Sequence, residues 1–217
     1  MKNYIKRVII LFVGLAIAHL GVTLFLLADL GADPFNVFVQ GLFKTLEGLT
    51  GWAILTHGRV HIAVSVVIII VLLFVDRSYI KIGTVICMAF GGPIIDFYSL
   101  LLGPVFARMQ SLWVKIPVLA LGCAILAYGM TIVIKSEAGT GPNDLVAVVL
   151  SDKSRKKFSV VRISVDVAFV AIGWMLGGTF GIGTVICAFL VGPVAGVFLP
   201  INERIIQKLL GEEIKRE

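Results

Sequence analysis

Apolar residues run in long blocks along this chain, separated by short polar clusters. Blocks at about 8–28, 60–75, 82–102, 116–134, 160–176 and 182–200 carry few charges. A bilayer core of ~30 Å takes roughly 20 helical residues, so the pattern predicts six long transmembrane helices. Two shorter segments, about 34–47 and 142–151, open at Pro34 and Pro142. Ten helical residues reach only about 15 Å, so these two read as re-entrant helices or short spans. Ten-residue alternating strands, the mark of a membrane β-barrel, are not the pattern here. The expected fold is an all-α polytopic membrane protein.

The pattern also repeats. Ile82-Gly83-Thr84-Val85-Ile86-Cys87 recurs letter for letter as Ile182-Gly183-Thr184-Val185-Ile186-Cys187, and Gly92-Pro93 and Gly192-Pro193 follow the two copies. Gly14, Gly21, Thr23, Gly31 and Pro34 have counterparts 108 positions on, in Gly122, Gly129, Thr131, Gly139 and Pro142. Arg59 pairs in the same way with Arg162. The expectation is two homologous halves, 1–105 and 106–201, followed by a charged tail, 202–217, on the cytoplasmic surface. Each half reads as a long helix, a Gly-x-x-Pro turn, a short helix and two more long helices. A transporter built from repeats holds its site where the repeats meet.

Composition strengthens the membrane reading. Hydrophobic residues make up 59% and charged residues 15% of 217, against about 45–50% and about 25% in soluble domains. Nineteen Lys and Arg against thirteen Asp and Glu give a net charge of +6. The cations lie in short loops between apolar blocks, so they report topology by the positive-inside bias and not nucleic-acid binding. Cys87, Cys123 and Cys187 all fall inside apolar blocks with no paired spacing, and read as small packing residues. Lys2, Lys6 and Arg7 ahead of an apolar run, with Ala16-Ile17-Ala18 behind, imitate a signal peptide. The run continues to Ala28, and so reads as a retained first helix.

Charge leaves the topology open. If the short helices cross, there are eight spans in parallel halves, with Arg77, Lys81 and Lys135 outside. If they are re-entrant, there are six spans in inverted halves, with Lys44, Arg59, Arg108 and Lys115 outside. Both arrangements keep Lys153, Arg155, Lys156, Lys157 and both termini in the cytoplasm. The shortness of the second segment favours inversion.

The candidate chemistry clusters at the two turns, Gly31-Ala32-Asp33-Pro34 and Gly139-Thr140-Gly141-Pro142. Proline suits a first helical turn, glycine allows the sharp bend before it, and the free N–H groups of a helix start attract anionic or polar groups. The same features also describe a plain capped turn. Asn36 and Asp144, two residues after each proline, are placed either to cap the helix or to meet a solute. Asn143, Asp144, Asn36, Asp96 and His19 are the candidate ligand-binding residues, because polar and ionisable groups at membrane depth are costly unless they are used or paired. Arg162 and Asp166 have the spacing of an intrahelical ion pair near the cytoplasmic edge. The Gly-Thr of each hexapeptide suits close helix packing. No phosphate-binding loop, metal-ligand cluster or nucleophile with a histidine partner is legible, so neither enzyme activity nor a metal or other cofactor is expected.

The segment Ala138-Gly139-Thr140-Gly141-Pro142-Asn143-Asp144, the Gly-x-x-Pro turn after the first helix of each half and the repeated Gly-Thr resemble the YczE/YyaS/YitT-like family of bacterial inner-membrane proteins. The resemblance covers most of the chain and is closest at 129–150 and 160–198. Asp33 departs from it, standing where the second half has Gly141. The chain also ends without the cytoplasmic domain typical of YitT, which favours the YczE-like branch. The resemblance implies a multi-pass protein of the bacterial cytoplasmic membrane and supplies no substrate or catalytic residues.

These features lead to one functional expectation, a small-molecule permease taking a small polar or charged solute from the bilayer's aqueous faces. The alternative is a substrate-binding membrane subunit with an energising partner, of the energy-coupling-factor kind. Glycine- and alanine-rich spans also make a homodimer an expectation.

Overall fold

A computed structural model describes residues 2–108, 111–156 and 158–211. Lys157 of the basic cluster and tail residues 212–217 lie outside the described residues. The described chain is helical throughout: α1 (Lys2–Ala28), α2 (Pro34–Thr50), α3 (His57–Asp76) with a 3-10 turn at Arg77–Tyr79, α4 (Ile82–Phe106), α5 (Leu112–Lys135), α6 (Pro142–Ser154), α7 (Phe158–Met175) and α8 (Ile182–Leu210). Five stretches are long and apolar enough to cross a bilayer, in α1, α3, α4, α5 and α8. The sixth expected span corresponds to α7, which has 18 residues. At 13 residues α6 is about 20 Å long, and α2 at 17 residues about 25 Å, both under the ~30 Å core. The last helix, α8, continues past residue 201 to Leu210. Asn202 is buried there and donates to Thr131 Oγ1 at 2.7 Å.

The core is built on α1 and α5, which pack antiparallel. A Cβ on Gly21 would fall 2.5 Å from Leu126 N, and one on Gly129 would fall 2.2 Å from Ala18 N. Glycine at both places lets the two backbones touch, the small-residue packing used where lipid supplies no hydrophobic drive between helices. Around this pair, α4 runs parallel to α1, with Leu11 over Gly83 and His19 over Gly91. In the same way α8 runs parallel to α5, with Leu119 over Gly183 and Thr131 bonded to Asn202. Leu24, Phe25, Ala28, Leu119, Cys123 and Cys187 form the largest buried cluster. Large apolar side chains such as Phe74, Leu100, Trp113 and Phe189 point outward, as they should where the solvent is hydrocarbon.

The repeated hexapeptides have a backbone task. Gly83 N donates to Ala138 O at 3.0 Å, and Gly183 N donates to Leu30 O at 2.7 Å. Each helix start thus holds the carbonyl just ahead of the other half's Gly-x-x-Pro turn. The turns are built alike. Asp29 and Gly31 have positive φ (52° and 115°), as do Glu137 and Gly139 (56° and 148°). A Cβ on Gly31 would meet Thr184 N at 2.7 Å, and one on Gly139 would meet Thr84 N at 2.6 Å. Glycine is therefore required at both positions, by conformation and by space.

Charged groups gather at one end of the bundle. Lys6 bonds to Leu209 O and Arg7 to Glu137. Lys81 reaches Glu137 O, Lys135 pairs with Glu203, and Lys153 pairs with Asp76.

Candidate functional site

The chain bends out of α1 at Gly31 and enters α2 through Asp33 and Pro34. Asp33 is the N-cap, accepting from Asn36 N at 3.3 Å and from Asn36 Nδ2 at 2.8 Å. Asn36 Oδ1 then takes a hydrogen bond from His57 Nε2 at 3.0 Å. Because the Asn36 amide donates to Asp33, its oxygen faces His57, and so His57 carries its proton on Nε2. The six-residue link 51–56 brings the start of α3 back beside the start of α2 and makes this chain of bonds possible. Arg59, one turn into the helix region near this link, donates to Ile54 O.

The start of α6 is built differently. Gly141 is the N-cap residue, and among the described residues no side chain caps the helix. Asp144, expected either to cap or to bind, accepts from Arg162 Nη1 at 2.6 Å. Asn143 Nδ2 donates to Asp144 Oδ1 at 3.2 Å. Arg162 Nε also holds Asp166 at 3.0 Å, the expected pair four residues apart on α7. The side chains of Asp144, Arg162 and Asp166 keep 29%, 30% and 28% of their surface exposed, so open space reaches all three.

The two clusters are joined through α7. That helix packs along α2, with Gly41 against Gly173 and Thr45 Oγ1 donating to Leu176 O at 2.8 Å, and it carries Arg162 and Asp166. Phe35 and Phe169 close one side, edge to face at 5.5 Å, with Phe38 stacked on Phe169.

The other two candidates sit apart from these contacts. Asp96 accepts from Thr56 Oγ1 at 2.6 Å and from Gly58 N at 2.9 Å, and so holds the start of α3. His19 donates from Nδ1 to Leu15 O at 2.9 Å, since a carbonyl only accepts. Its ring meets His61 edge-on, with centroids 5.7 Å apart. Gly91 makes room for both imidazoles, because a Cβ there would fall 2.9 Å from His19 Nε2 and 3.0 Å from His61 Cε1. His61 in turn packs against Phe35.

Of the expected candidates, Asn36 meets Asp33 and His57, and Asn143 and Asp144 lie together with Arg162; Asp33, His57 and His61 were not among those candidates. Sequence reasoning also left Arg162 and Asp166 as a pair of their own. Two signals were available. Asp33 stands directly before a first-turn proline, a preferred N-cap place, and His57 and His61 lie one helical turn apart. The described residues hold no group of three or more His, Cys, Asp or Glu arranged to bind a metal. An apolar cavity of about 460 Å³ opens between α2, α3 and α7 on the other side of Phe38 and Phe169, with Leu42, Leu46, Val64 and Ile68 also on its walls and Arg59 as its one charged residue.

The chain is similar to three proteins of bacteria. The uncharacterized membrane protein YczE of Bacillus subtilis is 28% identical over 190 residues, 87% of this chain and 83% of the relative. YyaS of the same organism is 25% identical over 193 residues, 88% and 92% of the two chains. An uncharacterized protein of Haemophilus influenzae is 26% identical over 200 residues, 92% and 86%. No solved structure matches. A relative described as a membrane protein and five long apolar helices agree on a multi-pass membrane protein. The model of DUF6198, a family of unknown function, matches residues 5–200, and the chain belongs to that family.

Proposed function

We propose that this protein is a small-molecule transporter of the bacterial cytoplasmic membrane, with its site where the starts of α2 and α6 face each other. The observation that carries the reading is the packing of α2 on α7, which sets Phe35 edge to face with Phe169 at 5.5 Å and so brings the start of α2 level with the stretch of α7 whose Arg162 holds Asp144 of α6. It joins the polar starts of two broken segments, one from each half of the chain. Ionisable groups placed this deep mark solute or ion pathways, and paired helix breaks are where repeat-built transporters bind.

The halves act as inverted repeats in this reading. Support comes from the antiparallel α1 and α5, the reciprocal glycine contacts and the exchanged hexapeptide bonds. Inversion lets the two halves trade roles as the site opens to either face. The lysine- and arginine-rich end, which holds the N-terminus and the end of α8, faces the cytoplasm by the positive-inside bias.

The test is uptake by the purified protein alone in liposomes, measured as charge movement while solutes are exchanged. Transport by the single chain is the expected result. Binding without movement, together with co-purification of an ATPase pair, would transfer the protein to the energy-coupling-factor class.

A further inference from the structure

The transporter reading leaves the solute open, and the charge balance at the two helix starts narrows it. Asp144 and Asp166 share a single cation, Arg162, and the packing of Phe35 on Phe169 sets Asp33, two residues before Phe35, level with them. With neutral imidazoles the formal sum is −2. The starts of α2 and α6 each add about half a positive charge, which leaves about one negative charge. Arg162 is already shared between two carboxylates, Asp144 and Asp166. Asp33 has only Asn36 as a hydrogen-bond donor, and no cation bonds to it among the described residues. An uncompensated carboxylate at membrane depth is costly. We propose that this centre binds a positively charged solute of the ammonium class, with Asp33 as its counter-ion.

Two further features point the same way. Thr184 is 4% exposed and its Oγ1 has no partner. That hydroxyl lies 2.6 Å from where a Cβ of Gly31 would stand, so it is aimed at the turn that carries Asp33. Its acceptor lone pairs are unused among the described residues. An aromatic wall stands on the same two helices as the carboxylates. Phe35 follows Asp33 by two residues, and Phe169, which it meets edge to face, follows Asp166 by three. Aromatic faces next to carboxylates suit alkylammonium groups, through attraction to the ring quadrupole. The same geometry argues against an anion, because Asp33 itself already takes the exposed N–H of α2.

The proposal rests on the transporter reading for its biological sense but not for its test, which measures binding. Full-length protein in detergent, at low ionic strength, is titrated with choline, agmatine and ethylammonium while its unfolding temperature is followed. The neutral isostere 3,3-dimethylbutanol and the anion acetate serve as controls. At least one cation is expected to raise the unfolding temperature saturably, as a ligand of the native state must, and the controls are expected to leave it unchanged. Asp33→Asn keeps a capping oxygen of equal quality, so its own unfolding temperature should stay close to the parent's. Its affinity for the cation should fall about tenfold or more, the scale of one lost charge contact. Asp33→Ser, which also caps, replaces it if the asparagine variant folds poorly. Three results would overturn the proposal: no stabilisation by any of the cations at millimolar concentration, equal stabilisation by the neutral isostere, or unchanged cation affinity in the Asp33 variants. Liposome uptake separates the two readings. A cation that binds but does not cross removes the transporter and keeps the site, whereas uptake of a neutral or anionic solute does the reverse.

Discussion

The two helix breaks share a backbone and divide the chemistry. At both, the chain leaves a long helix through a residue of positive φ, passes a glycine of positive φ and enters the next helix at proline. At both, a glycine N–H from the other half grips the carbonyl ahead of that glycine. The side chains then differ. The first break is a chain of hydrogen bonds, from His57 through Asn36 to Asp33, and the second is an ion triad of Asp144, Arg162 and Asp166. Constraints set by backbone geometry are the same in the two places, while the groups that would meet a solute are free to diverge. One break brings a carboxylate without a cation and the other brings the cation.

The largest effects should fall on what the breaks have in common. Gly31→Ala and Gly139→Ala each force a Cβ onto positive φ and into a backbone nitrogen under 3 Å away. Strain and overpacking together should cost at least about 3 kcal/mol at either site. Thermal unfolding of the two variants in one detergent checks this, and a marked difference between them would break the equivalence of the turns.

Intermediate effects should separate the breaks. Arg162→Gln leaves Asp144 and Asp166 without their partner in a site only partly open to water, and about 2 kcal/mol should be lost. Asn36→Ala removes neutral hydrogen bonds and should cost nearer 1 kcal/mol. Adding Asp166→Asn to Arg162→Gln should recover part of the loss, whereas adding it to Asn36→Ala should recover nothing. A double-mutant cycle with chemical or thermal denaturation resolves the two outcomes.

The smallest effect is a difference. If Asp144 were a cap, Asp144→Ala would be less stable than Asp144→Asn by about 1 kcal/mol. The structure gives α6 no side-chain cap and gives Asp144 to Arg162. Both variants should therefore lose the ion pair and unfold within about 0.5 kcal/mol of each other.

Much of the framework was legible because local chemistry dictates it. Pro34 and Pro142 begin their helices where the sequence placed them, since proline's fixed φ and missing N–H fit a first turn. Gly31 and Gly139 bend the chain because residues with a Cβ resist their φ. The site was legible only in part, because its bonds join distant positions. Arg162 meets Asp144 across 18 residues and His57 meets Asn36 across 21. Neither helix periodicity nor motif spacing carries such pairings. Asp96 shows the converse problem. Its polarity at membrane depth was visible, but its use was not, because Thr56 and Gly58 reach it from another helix.

The central claim is that the starts of α2 and α6 line one solute site open in turn to both faces of the membrane. Thiol labelling tests it most directly. With Cys87, Cys123 and Cys187 replaced by alanine, a single cysteine is placed at Asp33 or at Asp144, and a membrane-impermeant reagent is added to oriented vesicles from one side or the other. The account predicts that each cysteine reacts from both sides and that saturating cation slows the reaction at position 144, where the Asp33 counter-ion is intact. Labelling of each position from one face only, unchanged by any solute, would contradict it.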